Sequence, residues 1–212
     1  MTIEVIHRTD FDFGAAHDQG QRPTCLAFSL SDLNRFGHRE EAMLSAEYLY
    51  RCAARAIPGW KPGDGLQIGA GLTAVCILGQ PAVEHCPYAP AEPAEIPPAV
   101  PALSAPLYAS PIQIAAGPAA IAAKALQRGR PLGLVVRLLT SFFLPVDGRI
   151  SMSGHLVDGL HAVVATAIGR DAVSQDSLLL VRNSWGTAWG IDGSAWLPMS
   201  YVNAYTTHAF EV

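Results

Sequence analysis

Apolar residues recur at helical spacing in the first third of the chain and in short strand-like runs in the last, with a proline-dense stretch between them. Leu26, Leu30 and Leu33 share one face of a predicted helix that Thr24 caps, Cys25 opens and Gly37 stops. A second helix is predicted over 45–56, and a third over 66–79, after Asp64-Gly65. From Pro87 to Pro111 fall eight of the 16 prolines, which excludes a helix or a central strand there. Val100, Leu103 and Leu107 give this stretch apolar anchors, so it reads as an extended crossover, not a disordered linker. Beyond it, a short helix over 118–128 has Pro118 in its first turn and Gly129 at its end. The runs 132–138, 161–168, 178–184 and 195–197 read as strands. No internal repeat is present.

The strands 161–168 and 178–184 flank a polar stretch over 170–176. An antiparallel hairpin centred near Val173 pairs 161 with 185 and 163 with 183. His161 and Asn183 then become diagonal neighbours on one face, within side-chain reach of each other.

Composition narrows the function classes. The chain has 212 residues, half of them hydrophobic and 15% charged, enough for one large globular domain or two half-domains. With a net charge of −4 and no basic cluster, no nucleic-acid partner is expected. No apolar run approaches the roughly 18 residues of a membrane span, so no membrane partner is expected either. The start of the chain lacks a signal-peptide core. His7, His17, His38, His85, His155 and His208 show no metal-ligand spacing with the cysteines, and C-x-x-C and H-E-x-x-H are absent. No metal and no cofactor are expected.

Cys25 falls in the first turn of its helix, where unpaired N–H groups and the macrodipole favour an anionic thiolate. A lone cysteine is more often a small buried hydrophobe. Three pieces of sequence argue otherwise: Asp18-Gln19-Gly20 before Cys25 and Ala27-Phe28-Ser29 after it; His161-Ala162-Val163-Val164; and Asn183-Ser184-Trp185-Gly186-Thr187-Ala188-Trp189-Gly190. In this order they resemble the papain-like cysteine peptidases. His161 and Asn183 stand 136 and 158 residues beyond Cys25.

The resemblance implies an α+β, two-lobed fold across 1–212. It has a helical lobe over about 14–86, a crossover over 87–111 and a β-barrel-like lobe over 112–212, with the active site in the cleft between the lobes. It implies Cys25 as nucleophile, His161 as acid and base, Asn183 as the residue orienting the imidazole, and Gln19 as an oxyanion-hole donor. Trp185 would shield the Asn–His hydrogen bond, and Trp189 is equally well explained as core. Pro23, Thr24, Gly65, Leu160 and Trp185 would border the substrate. The sequence departs from the family's pattern at Pro23-Thr24 and Leu26. Pro23 lacks an N–H and adds bulk beside the expected substrate wall.

Two family disulfides are also interrupted. Arg22 occupies one half-cystine position, and Cys52 has no cysteine beyond Pro87-Tyr88 to join. Four free thiols and a reducing, cytoplasmic setting are expected; the alternatives are a Cys52–Cys76 or Cys76–Cys86 bridge for the thiols and delivery into another cell for the setting. Only 24 residues precede Cys25, so any inhibitory pro-segment is expected to be absent, removed or encoded elsewhere, and a separate inhibitor or immunity protein becomes a candidate partner. The expected function is an endo- or exopeptidase acting on a peptide or protein substrate through a Cys25 thioester. The alternatives are an acyltransferase or deamidase on the same Cys-His-Asn frame, or a degenerate peptidase fold used as a binding module.

Overall fold

Helix α1 (Cys25–His38) starts where the apolar spacing predicts and buries Leu26, Leu30 and Leu33. Two details differ from expectation. Thr24 makes no side-chain cap, because its hydroxyl is engaged by Tyr88 at 2.8 Å. Gly37 does not stop the helix, which runs on to His38 and ends at Arg39 in the left-handed region. Gly37 is a close-approach position instead, since a Cβ there would run into the Ser110 side chain.

Helix α2 (Ala46–Arg55) is capped by the Ser45 hydroxyl, which accepts from the Tyr48 N–H at 2.9 Å. Helix α3 (Ile68–Thr73) continues as a π-helical turn, Ala74–Leu78, and stops at Gly79 with φ of 71°. Gly71 lets α3 approach Leu26 and Leu30 of α1.

The proline-rich stretch 87–111 forms no helix, as its composition requires. Its anchors are polar, contrary to expectation. Leu107 is exposed and Val100 and Leu103 only half-buried, while Arg51 and Arg55 of α2 donate to the carbonyls of Ala99 and Pro98. Prolines bring carbonyls without N–H groups, so donors must come from elsewhere. The helix supplies them.

The computed structural model describes residues 2–212 and divides them into two compact units. The elements above belong to the helical unit, Gln19–Gln113 with Val212. The chain up to Asp18 and Ile114–Glu211 make the β unit.

The sheet comprises β1 (Ile3–Arg8), β2 (Gln113–Ala115), β3 (Leu132–Leu139), β4 (Leu156–Asp171), β5 (Ser177–Arg182), β6 (Ser194–Pro198) and β7 (Thr206–Glu211). Its order is β2-β7-β3-β4-β5-β6, with β1 on β4, and the β1–β4, β3–β4, β3–β7, β4–β5 and β5–β6 ladders are antiparallel. Helices α4 (Pro118–Gln127) and α5 (Met199–Tyr205) pack against it. The fold is therefore mixed, helices with an antiparallel sheet, as expected. Strands β1, β2 and β7 and helix α5 lie outside the predicted elements. Exposed polar residues in β1 and β7 break the apolar runs by which strands are read.

The β4–β5 hairpin keeps the expected register at one end. Val164 pairs with Arg182 and Ala165 with Val181, in step with 163 opposite 183. Between Ala165 and Ala167 the register shifts, and Ala167 pairs with Leu180. Thr166 is the extra residue of this bulge, and its carbonyl accepts from Thr9 N–H at 2.8 Å. The slip falls on the turn side, so the His161 end keeps its face.

Candidate active site

In the helical unit, Cys25 is the first residue of α1 and half-buried. The first N–H groups of a helix have no intrahelical partner, and no acidic side chain lies in the first turn of α1 to offset their partial positive charge. The loop leading to it folds back on one carbonyl. Arg22 O accepts from the Gln19 side-chain amide at 2.7 Å and from Thr24 N–H at 2.8 Å. Gln19 is buried and its amide plane is thereby set; the amide carries two hydrogens, and this bond uses one.

Pro23 and Gly65 lie together as neighbours. A Cβ on Gly65 would sit 3.4 Å from Pro23 O, an ordinary contact, but Gly65 has φ of 71°, so a side chain there is disfavoured by the backbone. Trp60 Nε1 donates to Gly65 O at 2.9 Å and holds that turn.

In the β unit, His161 lies on β4, 4% exposed, opposite Val136 of β3. Its Nε2 is 2.6 Å from Asn183 Oδ1. The same oxygen accepts from the Ser184 backbone N–H at 2.8 Å, which fixes the orientation of the Asn183 amide. Nε2 must therefore carry a hydrogen and donate it, leaving Nδ1 as the imidazole's proton-accepting atom. Asn183 N–H donates to Gly193 O at 2.9 Å, so the side chain starts from a fixed backbone.

The Trp185 ring centroid lies 4.4 Å from that of the imidazole, the two rings tilted by 38°. Phe143 stacks on Trp185 at 5.3 Å, and Phe142 meets His161 and Trp185 edge-on at 5.9 and 5.7 Å. Trp189 is core: it is 7% exposed and its Nε1 donates to Phe142 O at 3.0 Å. Gly190, with φ of 63°, turns the chain where a Cβ would run into the Ser194 carbonyl. Leu160, next to His161, is 51% exposed.

The sequence reading missed Phe142 and Phe143, whose only signal is a pair of aromatics just after a predicted strand. It also gave no role to Tyr88, or to Arg22 beyond its departure from the family pattern.

The other thiols are poor nucleophiles or engaged. Burial pushes Cys52 up to about 11 and also raises Cys86, while the Cys76 thiol donates to Ile112 O at 3.3 Å. None of the four cysteines is bridged. Among the described residues, no three His, Cys, Asp or Glu side chains cluster to hold a metal, and no helix is long and apolar enough to cross a membrane.

No protein-family profile and no curated protein matches the sequence. Solved structures do match. Xylellain, a cysteine protease from Xylella fastidiosa, is 20% identical with a TM-score of 0.81, over 99% of this chain and 89% of that one. The Carica candamarcensis cysteine protease CMS1MS2, in complex with E-64, is 19% identical with a TM-score of 0.66, over 93% and 92%. The bromelain protease of Ananas comosus, in complex with E64, is 15% identical with a TM-score of 0.71, over 93% and 92%. At such identities the likeness establishes the fold, which is that of the papain-like cysteine proteases.

Proposed function

We propose that the protein is a cysteine peptidase with Cys25 as nucleophile, His161 as acid–base, Asn183 as its orienting partner and Gln19 as an oxyanion donor. The observation that carries this reading is the 2.6 Å bond from His161 Nε2 to Asn183 Oδ1, which engages Nε2 and supports Nδ1 as the proton-transferring atom. An imidazole held in one tautomer by an amide oxygen is the arrangement that general acid–base catalysis uses. The helix start at Cys25 adds support from the other unit.

In this mechanism the Cys25 thiol first gives its proton to His161 Nδ1; the thiolate sulfur then bonds to the peptide carbonyl carbon, and the carbonyl oxygen takes the negative charge, accepting from Gln19. Collapse breaks the C–N bond as His161 gives its proton to the departing amine, leaving a thioester. Water then attacks, giving a proton to His161; the C–S bond breaks and the acid is released.

The test is treatment with an E-64-type epoxide, read by intact mass and peptide mapping, alongside hydrolysis of a peptide library. One adduct on Cys25, new peptide N-termini, and loss of both in a folded Cys25→Ala variant are expected. Activity surviving in Cys25→Ala, or mass gain on substrate without new N-termini, would overturn the peptidase reading.

A further inference from the structure

Arg22 is a guanidinium at 3% exposure, two residues before the Thr24-Cys25 helix start. Its Nη1 donates to Glu47 Oε2 and to Ala89 O, and Glu92 Oε2 lies 3.6 Å from Nη2. Its plane lies over the rings of Tyr50 and Tyr88, at 5.0 and 4.8 Å to the centroids. Burial by itself works against this charge, but the hydrogen bond and attraction of Glu47, followed by Tyr88 and Glu92, outweigh it. Tyr50 is fixed in turn by its hydroxyl on the Glu92 carboxylate at 3.0 Å.

Tyr88 faces the loop with its hydroxyl. It donates its one hydrogen to Gln19 O at 2.8 Å, so the Thr24 hydroxyl, also 2.8 Å away, must be the donor to the phenol oxygen. Gln19 is then held at both ends, its carbonyl by Tyr88 and its side-chain amide by Arg22 O. A further bond to Gln19 O, from Arg22 N–H, is long at 3.4 Å.

We propose that Tyr88, clamped by Arg22 and its carboxylates, is a positioning residue that holds Gln19 in place for the oxyanion. This inference rests on the peptidase reading above. An oxyanion donor stabilises a transition state only if it is oriented beforehand, and a side chain is no better oriented than the backbone that carries it.

The experiment uses the full chain and a fluorogenic peptide that the wild type cleaves, with Tyr88→Phe, Gln19→Ala and the double variant. Tyr88→Phe keeps the ring under Arg22 and removes only the hydroxyl. Its kcat should fall about tenfold or more with KM within about twofold, less than the 10²–10³-fold expected of Gln19→Ala. Alkylation of Cys25 by iodoacetamide, which forms no tetrahedral oxyanion, should stay within about twofold of wild type.

In the Gln19→Ala background the added effect of Tyr88→Phe should shrink to about twofold, because Tyr88 acts through Gln19. Thr24→Val, which spares the Tyr88–Gln19 bond, should change kcat less than Tyr88→Phe; the opposite order between the folded variants overturns the inference. Unchanged kcat in folded Tyr88→Phe, or full additivity with Gln19→Ala, overturns the positioning role and leaves the peptidase reading intact. A wild type that neither cleaves peptides nor takes up E-64 overturns both.

Discussion

Around Cys25 the chain is tied by buried charge, with Arg22 set among Glu47, Glu92, Tyr50 and Tyr88. Around His161 it is tied by sheet register and by the rings of Phe142, Phe143, Trp185 and Trp189. The two kinds of support fail differently. A buried ionic cluster depends on each partner, because removing one leaves the desolvation of the others uncompensated. An aromatic cluster depends on volume, and tolerates exchanges that conserve it. Arg22 stands where the resemblance places a half-cystine, so a covalent tie in that family is here an electrostatic one.

The largest effect that tests this contrast is on stability. Glu47→Ala leaves Arg22 and Arg51 without the carboxylate both contact, and should cost about 3–5 kcal/mol in urea unfolding. Trp189→Phe, which keeps most of the ring volume but loses the bond to Phe142 O, should cost less than about 2 kcal/mol. Equal costs would erase the distinction. Replacing Arg22 and Glu47 together by Met and Leu should recover most of the loss, since an apolar pair carries no desolvation penalty.

A smaller effect concerns thiol reactivity in the helical unit. With Cys52 raised by burial to about 11, from an ordinary value near 9, its thiolate fraction at neutral pH is about a hundredfold below that of an unperturbed thiol. Timed iodoacetamide labelling of the folded protein should find Cys52 slower by at least that factor, catching up only as pH rises towards 11. Labelling at the rate of a free thiol near pH 7 would show that the α2 packing around Cys52 opens readily.

The smallest effect lies at the far end of the β4–β5 hairpin. The backbone N–H groups of Ser174 and Val173, then Arg149, hold the Asp171 carboxyl below the usual carboxylate range. A depressed folded value means that the stabilisation is present above the ordinary value of about 4 and is lost as pH falls through the lowered one. Asp171→Asn should therefore lose a little stability at pH 7 and show a shallower decline in acid. An acid profile identical to wild type would remove Asp171 from the account.

Several of these features were legible in sequence because they obey local rules. Leu26, Leu30 and Leu33 follow helical spacing, Ser45 and Pro118 mark helix starts, and the register that sets Val164 opposite Arg182 follows from two apolar runs around a polar turn. On the turn side the pairs from Arg170–Ser177 to Ala167–Leu180 are one residue out of the expected register, and the extra residue Thr166 restores it from Ala165–Val181 onward, which leaves the His161–Asn183 bond within reach.

What the chain by itself determined is helices α1 to α4, strands β3 to β6 and the residue types at Gln19, Cys25, His161 and Asn183, since periodicity, capping and turn chemistry are properties of neighbours in sequence. Tertiary structure alone decided that Thr24 hydrogen-bonds Tyr88 instead of capping its helix, that arginines of α2 rather than leucines anchor the proline-rich crossover, and that Phe143 lies on Trp185. These partners are 42 to 64 residues apart along the chain. A hydroxyl, a carbonyl or a ring can be satisfied equally well by water or by a neighbour, and only packing excludes the water and selects the distant partner.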